Sequence, residues 1–313
     1  MLGRTANGLF WMYRYLERAE NTARLIETGQ RIALTRLGQG DEEWGSVLQS
    51  AGALTGFDDA YDELTKDNAI DWLLRNLDNP SSVRSCIAAA RQNARMVRTA
   101  ITGDVWSATN AAHMTADRIL ARKVSERDLP ETLRRLRENA ALVRGVTLGT
   151  MLRNDIFDFL RLGTFLERAD NTARILDVKY YVLLPSPSAV GTSLDNVQWE
   201  SILRSLSARG GFRMEYGARG GPREIAQFLL LDPRMPRSMV FCIKKLCTNL
   251  SYLRREQDGM IPALDLAEAM RSETLSCSID AIFDAGLHEF LQDAQQRLAA
   301  ITRQIEIDFR FYE

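Results

Sequence analysis

Two stretches of this chain, 150 residues apart, are nearly the same: YLERAENTARLIE from Tyr15 to Glu27 and FLERADNTARILD from Phe165 to Asp177. Eight of the thirteen positions are identical and the other five exchange like for like. Just outside the stretch the likeness stops, with Trp11 against Arg161 and Tyr13 against Gly163. A chain that carries one helix twice is constrained to a fold built from two similar units packed together.

The duplication runs further. Trp44 to Phe57 (WGSVLQSAGALTGF) matches Trp199 to Phe212 (WESILRSLSARGGF) at an offset of 155. At an offset of 156, Pro80, Ser82, Cys86, Ile87, Asn93 and Arg98 meet Pro236, Ser238, Cys242, Ile243, Asn249 and Arg254. LPETLRRLRENAALV (129–143) and LHEFLQDAQQRLAAI (287–301) share only their apolar spacing. The slow growth of the offset places the insertions in loops. Apolar residues recur at helical period throughout, and no alternating run bounded by turn residues suggests a strand. The expected fold is therefore all-α: one domain over 1–313, made of internal repeats 1–149 and 150–313. Each repeat is a bundle of about four helices related to the other by pseudo-symmetry, with the two repeated helices near the centre. Pro80 and Pro236 end any preceding helix, and Ser81 or Ser82, and Ser238, are placed to cap the next. LLPSPSAVGTSLDNVQ (183–198) reads as a long loop. GARGGPR (217–223) reads as a flexible turn; its three glycines and arginines could cradle a phosphate, but it follows no strand and matches no nucleotide-binding pattern.

On a helical wheel Leu9, Met12, Leu16, Ala19, Ala23 and Ile26 form a wide apolar face, suited to a helix deep in a bundle. Glu17, Glu20, Asn21 and Arg24 form a contiguous polar arc, repeated as Glu167, Asp170, Asn171 and Arg174. A polar arc is normally a solvated face. Solvation gives no reason to keep Asn, Thr and Arg rather than other polar residues, so the kept arc points to burial. Buried carboxylates and guanidinium groups need partners. Glu20–Arg24 and Asp170–Arg174 can pair within one helix at i,i+4. Glu17 and Arg24 lie two turns apart, about 10 Å along the axis, and cannot meet. If the two helices pack antiparallel, Glu17 would face Arg174 and Arg24 would face Glu167. The candidate site is thus Glu17, Arg18, Asn21, Arg24, Glu167, Arg168, Asn171 and Arg174, with Asn93, Arg98, Asn249 and Arg254 as secondary candidates. Such a cluster fixes the register between the halves, or forms a pocket for a charged ligand.

Other chemistry has less to stand on. Carboxylate-bridged di-metal bundles use Glu-x-x-His, and neither His113 nor His288 has a Glu three residues before it. Cys86, Cys242, Cys247 and Cys277 include no CxxC pair, so neither a zinc site nor a disulfide framework is expected. Net charge is −1, from 40 basic and 41 acidic residues, which gives no general attraction to nucleic acid. Of the basic residues 35 are Arg and 5 Lys; coding bias explains this before a demand for planar carboxylate-binding forks does. No apolar run approaches the roughly 18 residues of a membrane span. The start, MLGRTANGLFWMYRY, lacks the pattern of a signal peptide, so a cytoplasmic protein with reduced thiols is expected.

The opening MLGRTANGLFWMYRYLERAENTARLIE, the block LDNPSSVRSCIAAARQNARMVR, TAITGDVWSATN (99–110) and FLERADNTARILD together resemble the bacterial alpha-E family. The resemblance spans essentially the whole chain and implies an all-helical fold. It also implies company: circularly permuted ATP-grasp-like proteins, transglutaminase-like peptidases and sometimes proteasome-like proteases. The expectation that follows is an accessory subunit of an ATP-grasp-type amide ligase or protein-tagging system, with ATP and Mg2+ entering only through the partner. The alternatives are an autonomous amide-forming or peptide-modifying enzyme using the paired carboxylates, and a purely structural scaffold.

Overall fold

A computed structural model of the chain describes residues 2–33, 42–182, 193–217, 220–257 and 259–312. All regular structure among them is helical. The elements are α1 (Gly3–Ala33), α2 (Glu42–Ala51), α3 (Phe57–Ala60), α4 (Lys66–Leu74), α5 (Val83–Met96), α6 (Gly103–Ile119) and α7 (Leu129–Thr150). They are followed by α8 (Asp155–Val182), α9 (Ser193–Ser205), α10 (Arg209–Tyr216), α11 (Pro222–Leu231), α12 (Met239–Gln257), α13 (Pro262–Ser276), α14 (Ile279–Ala285) and α15 (Leu287–Asp308). No helix among the described residues is long and apolar enough to cross a membrane.

There are more helices than four per half. The connections that the periodicity leaves blank contain short helices stapled by aromatic residues. Phe57 stacks on Tyr61 at 5.3 Å with Trp72 edge-on at 6.2 Å, and Phe212 stacks on Tyr216 at 4.9 Å with Phe228 edge-on at 5.6 Å. Each trio ties two elements of under three turns to the core, where burial of the rings offsets a helix too short to stand alone. Helices α6 and α13 fill the space before α7 and α15. The stretch read as a loop over 183–198 is helical from Ser193, and residues 183–192 lie outside the described residues. Of the glycine-rich turn, Ala218 and Arg219 lie outside the described residues, and Pro222 and Arg223 already belong to α11.

The cap chemistry is as the sequence suggests. Ser82 Oγ accepts from the Ser85 N–H and Ser238 Oγ from the Phe241 N–H, both at 3.1 Å. Cys86 and Cys242, buried one turn on, direct their Sγ at the carbonyls of Pro80 and Pro236, at 3.7 and 3.8 Å. Burial pushes both thiols up to about 12, so neither is a ready nucleophile. Ser81 does not cap; its N–H is held by Asn79 Oδ1 at 2.9 Å.

Helix α1 packs against α5, α8, α7, α9, α2 and α4, and α8 packs in turn against α12 and α15. The buried apolar residues form one connected core from Ala6 to Phe311. Gly163 sets the approach of α1 and α8: a Cβ there would stand 2.2 Å from the Phe10 carbonyl oxygen and 3.3 Å from the Arg14 nitrogen. Farther along, Arg14 and Arg18 meet Glu167, and Glu17 meets Arg168. The contacts advance together along both helices, so α1 and α8 run in the same sense. The antiparallel arrangement is therefore corrected.

Gly163→Ala should force the two backbones apart and lower stability by about 1–3 kcal/mol. Gly145→Ala, on α7 with nothing within 4 Å of the added carbon, should raise it by about 0.5–1 kcal/mol. Urea unfolding of the two variants checks both signs; a neutral Gly163→Ala would show that the close approach does not hold.

Candidate functional site

The polar arc of the repeated helix is buried. Glu17, Glu20 and Glu167 are 2%, 1% and 4% exposed, and Asn21 and Arg168 are buried with them. Parallel packing puts the two Glu-Arg pairs at one level, where they exchange partners. Arg168 donates to Glu17 through Nε and Nη2, both at 2.9 Å. Arg18 donates to Glu167 through Nε at 2.5 Å and Nη2 at 3.0 Å. Each carboxylate thus meets a two-pronged fork from the other helix, the strongest ion-pair geometry side chains offer.

Further arginines complete each cluster. Glu17 Oε1 also accepts from Arg237 Nη1 at 2.9 Å, and its Oε2 from Arg144 Nη1 at 3.1 Å. Glu20 receives Arg24 at 2.6 Å, Arg144 at 2.5 Å and Arg237 at 3.1 Å. Around α8, Glu167 takes Arg14 at 2.8 Å, and Asp170 takes Arg174 at 2.7 Å. The expected cross pairs Glu17–Arg174 and Arg24–Glu167 do not form. Arg24 and Arg174 instead serve the i,i+4 carboxylates of their own helices, because parallel packing offsets them one turn and more beyond the crossing. Their remaining nitrogens face the ends of α2 and α9. Arg24 donates to Ser207 Oγ, and a Cβ on Gly52 would stand 3.0 Å from Arg174 Nη1. Gly52 and Ser207 both have positive φ, which turns the chain back over the arginines.

Electrostatics follows the geometry. Burial by itself would raise the Glu17 carboxyl, but Arg168, Arg237 and Arg144 outweigh it and hold it far below the usual carboxylate range. Glu167 is likewise opposed by burial and brought down to about 2 by Arg18 and Arg14. Burial lowers Arg237, pressed further by Arg168 and held up by Glu17 and Glu20.

Beside the α8 cluster lies a cleft of about 170 Å³. Arg18, Asn21, Glu167, Asp170, Asn171 and Arg174 line it from α1 and α8, and the end of α2 and Ser81 close it. Asn21, one of the lining residues, accepts through Oδ1 from Arg237 at 3.0 Å, while its Nδ2 is buried and has no partner. A buried donor without an acceptor costs about 1–3 kcal/mol and is rare in a structural network. The secondary candidates are not part of this site. Arg98 and Arg254 are exposed, Arg98 over the Trp106 ring; Asn249 donates to the Lys245 carbonyl on its own helix; Asn93 is half-buried on α5. Sequence reasoning missed Arg14, Arg144, Arg237 and Ser81. The last two were signalled only by the mismatch of Ser81 with Arg237 inside otherwise matched cap blocks. His288 Nδ1 stands 2.5 Å from Asp177 Oδ1, away from the cleft, and no group of His, Cys, Asp and Glu among the described residues could hold a metal ion.

Arg168→Ala removes the two-pronged fork from buried Glu17, which keeps single contacts to Arg237 and Arg144, and should cost about 3 kcal/mol, the low end for a broken buried pair. Arg24→Ala leaves Glu20 with Arg144 and Arg237 and should cost at most about 2 kcal/mol. Urea denaturation orders the two, and the reverse order contradicts the pairing. The folded carboxylates titrate below their unfolded value of about 4.5, so the stability they contribute is present above that pH. Stability should hold from pH 7 to about 5 and fall as pH drops from about 4.5 toward 2. In Glu167→Gln the fall should be shallower, which urea midpoints across that range would show.

Residues 1–309 match one protein family, described as a predicted alpha-helical domain with a conserved ER motif. Uncharacterized proteins of Mycobacterium bovis and Mycobacterium tuberculosis are each 25% identical over 336 aligned residues, covering 95% of this chain and 36% of their own length. The chain thus spans little more than a third of the curated relatives it matches. No solved structure matches. Two of the chain's Glu-Arg pairs, Glu17-Arg18 and Glu167-Arg168, exchange forks across α1 and α8, and the chain belongs to the Alpha-E family.

Proposed function

We propose that the chain is an accessory binding subunit of an ATP-grasp-type amide ligase or protein-tagging system, and that the cleft between the ER helices holds part of the substrate. The observation that carries this is a cleft lined by two guanidinium groups and two carboxylates, with Asn21, whose buried Nδ2 has no partner, among its lining residues. A cluster built only to lock two helices has no use for a polar cleft at its side.

The carboxylates favour a binding role over an autonomous enzyme. A general acid or base works best with a pKa near the operating pH. Glu167 at about 2, and Glu17 lower than the usual range, are locked in their ionised forms by guanidinium forks. They hold charge in place and do not pass protons at neutral pH. That the chain corresponds to 36% of longer relatives accords with a domain that works beside other polypeptide. The partner in this reading is an ATP-grasp-like ligase, which brings ATP and Mg2+, with a transglutaminase-like protein in the same system, in the cytoplasm. The reading includes two repeats, 1–149 and 150–313, around a pseudo-twofold axis with α1 and α8 at the centre. The matched aromatic trios, Pro-Ser caps and exchanged forks support it.

The test is ATP turnover by an ATP-grasp-like protein, where one is encoded nearby, alone and with this chain. A second arm uses Arg174→Lys, which keeps the charge and removes the fork. Turnover should require the wild-type chain and fall at least tenfold with the folded variant. Turnover indifferent to the chain overturns the reading.

A further inference from the structure

The cap blocks that align at an offset of 156 set Ser81 against Arg237. The Arg237 side chain is buried among five polar residues. It donates to Glu17 at 2.9 Å, Glu20 at 3.1 Å and Asn21 Oδ1 at 3.0 Å, with Arg168 and Arg24 as its guanidinium neighbours. The offset of 150 carries these five onto Glu167, Asp170, Asn171, Arg18 and Arg174. All five line the cleft, and so does Ser81. The cleft is thus the place that the Arg237 side chain fills in the other half, bordered by the same residue types.

The charges agree as well. Around Arg237 stand two carboxylates, Glu17 and Glu20, and three guanidinium groups, Arg168, Arg24 and Arg144. Around the cleft stand Glu167 and Asp170 with Arg18, Arg174 and Arg14. The molecule itself shows that this set accommodates one more guanidinium, because Arg237 sits in it. An anion placed there would meet Glu167 and Asp170 at close range. Asn21 adds a requirement. Its oxygen is committed to Arg237, and its buried Nδ2 is the donor left over among the lining residues.

Resting on the reading of this cleft as a binding site, we propose that its ligand is an alkylguanidinium with an oxygen acceptor, as in arginine. The guanidinium lies between Glu167, Asp170 and Asn171, as Arg237 does between Glu17, Glu20 and Asn21. A carboxylate or carbonyl oxygen of the same ligand accepts from Asn21 Nδ2. Free arginine and an arginine residue of a peptide share this chemistry.

Calorimetric titration of the full chain with L-arginine, agmatine, acetyl-arginine-amide, citrulline and inorganic phosphate tests the proposal. Arginine or its blocked form should bind saturably and at least tenfold more tightly than citrulline, the neutral isostere. Tighter binding of the blocked form identifies a peptide source, and tighter binding of the free form a free amino acid. Agmatine, which lacks the acceptor, should bind more weakly than either. Ser81→Arg should fill the cleft, abolish binding and raise Tm. Asp170→Asn, a milder change, should weaken binding at least tenfold in a folded chain. Citrulline equal to arginine, phosphate as the sole binder, or undiminished binding by both variants would each overturn the proposal. No ligase is present in these titrations, so the two readings fail separately. Arginine binding with indifferent ATP turnover sinks the ligase partnership alone. Chain-dependent turnover without arginine binding sinks the ligand class alone.

Discussion

Everything in this molecule is arranged around two carboxylates taken out of water at one helix crossing. Glu17 and Glu167 are almost wholly buried, and a buried carboxylate without a partner is untenable in a core of this kind. The exchange of forks, Arg168 to Glu17 and Arg18 to Glu167, solves this with the residue next in sequence on the opposite helix. The solution works only if α1 and α8 run in the same sense and cross at one level. It therefore dictates the parallel packing and the close approach at Gly163, and with them the position of every helix that packs around the pair. Sliding one helix by a turn would break both two-pronged forks. The pairs are weak evidence for stability as such, since well-packed apolar residues can do as well. Their stronger consequence is a single register.

The same geometry explains why the cluster recruits arginines from elsewhere. Glu20 and Asp170 lie one turn beyond the crossing, on the side away from the partner's fork, and need their own i,i+4 arginines. Burial of Glu20 is deeper than that of Asp170, and it draws in Arg144 from α7 and Arg237 from the α11–α12 connection as well. The glycine at 52 and the strained serine at 207 turn the chain over the exposed ends of Arg174 and Arg24, so that the clusters are closed by backbone as much as by side chains.

Much of this was legible from residues alone. The repeated stretch announces the helix, its duplication and a polar arc that is not a solvated face, because Asn21, Thr22 and Arg24 reappear as Asn171, Thr172 and Arg174. The caps at Ser82 and Ser238 follow from the prolines before them. Direction was not legible. A helical wheel gives the face of α1 but not the sense of its neighbour, and both senses offer Glu17 an arginine. The antiparallel arrangement gives Glu17 Arg174, whereas the parallel one gives it Arg168, the residue next to Glu167. The short helices α3, α4, α10 and α11 were missed because they owe their existence to tertiary burial of Trp72 and Phe228, which no local propensity reports. Arg144 and Arg237 were invisible because their partners lie more than 120 residues away in sequence.

Where aligned positions differ, the differences are the informative part. The offset of 158 that relates α7 to α15 carries Arg144 onto Thr302, and the offset of 150 carries Arg14 onto Thr164. Arg144 reaches the α1 carboxylates from α7, while Arg14 reaches Glu167 from α1 itself and touches Thr302 at 3.4 Å. One half has placed its third guanidinium on the outer helix and the other on the inner helix, and the charge around each carboxylate pair is unchanged. A packing requirement that tolerates relocation of an arginine but preserves its number is a requirement on charge. Set against that rule, Ser81 in place of Arg237 is the one exchange left without a compensating guanidinium among the residues around the α8 pair. The same exchange leaves the cleft where the Arg237 side chain lies in the other half. A loss that drift alone had produced would be expected to close by repacking, since side chains such as Leu25 and Thr22 stand at the rim and a void forfeits their contacts. The cleft has instead kept polar walls from four elements, as the proposed binding of an external guanidinium requires.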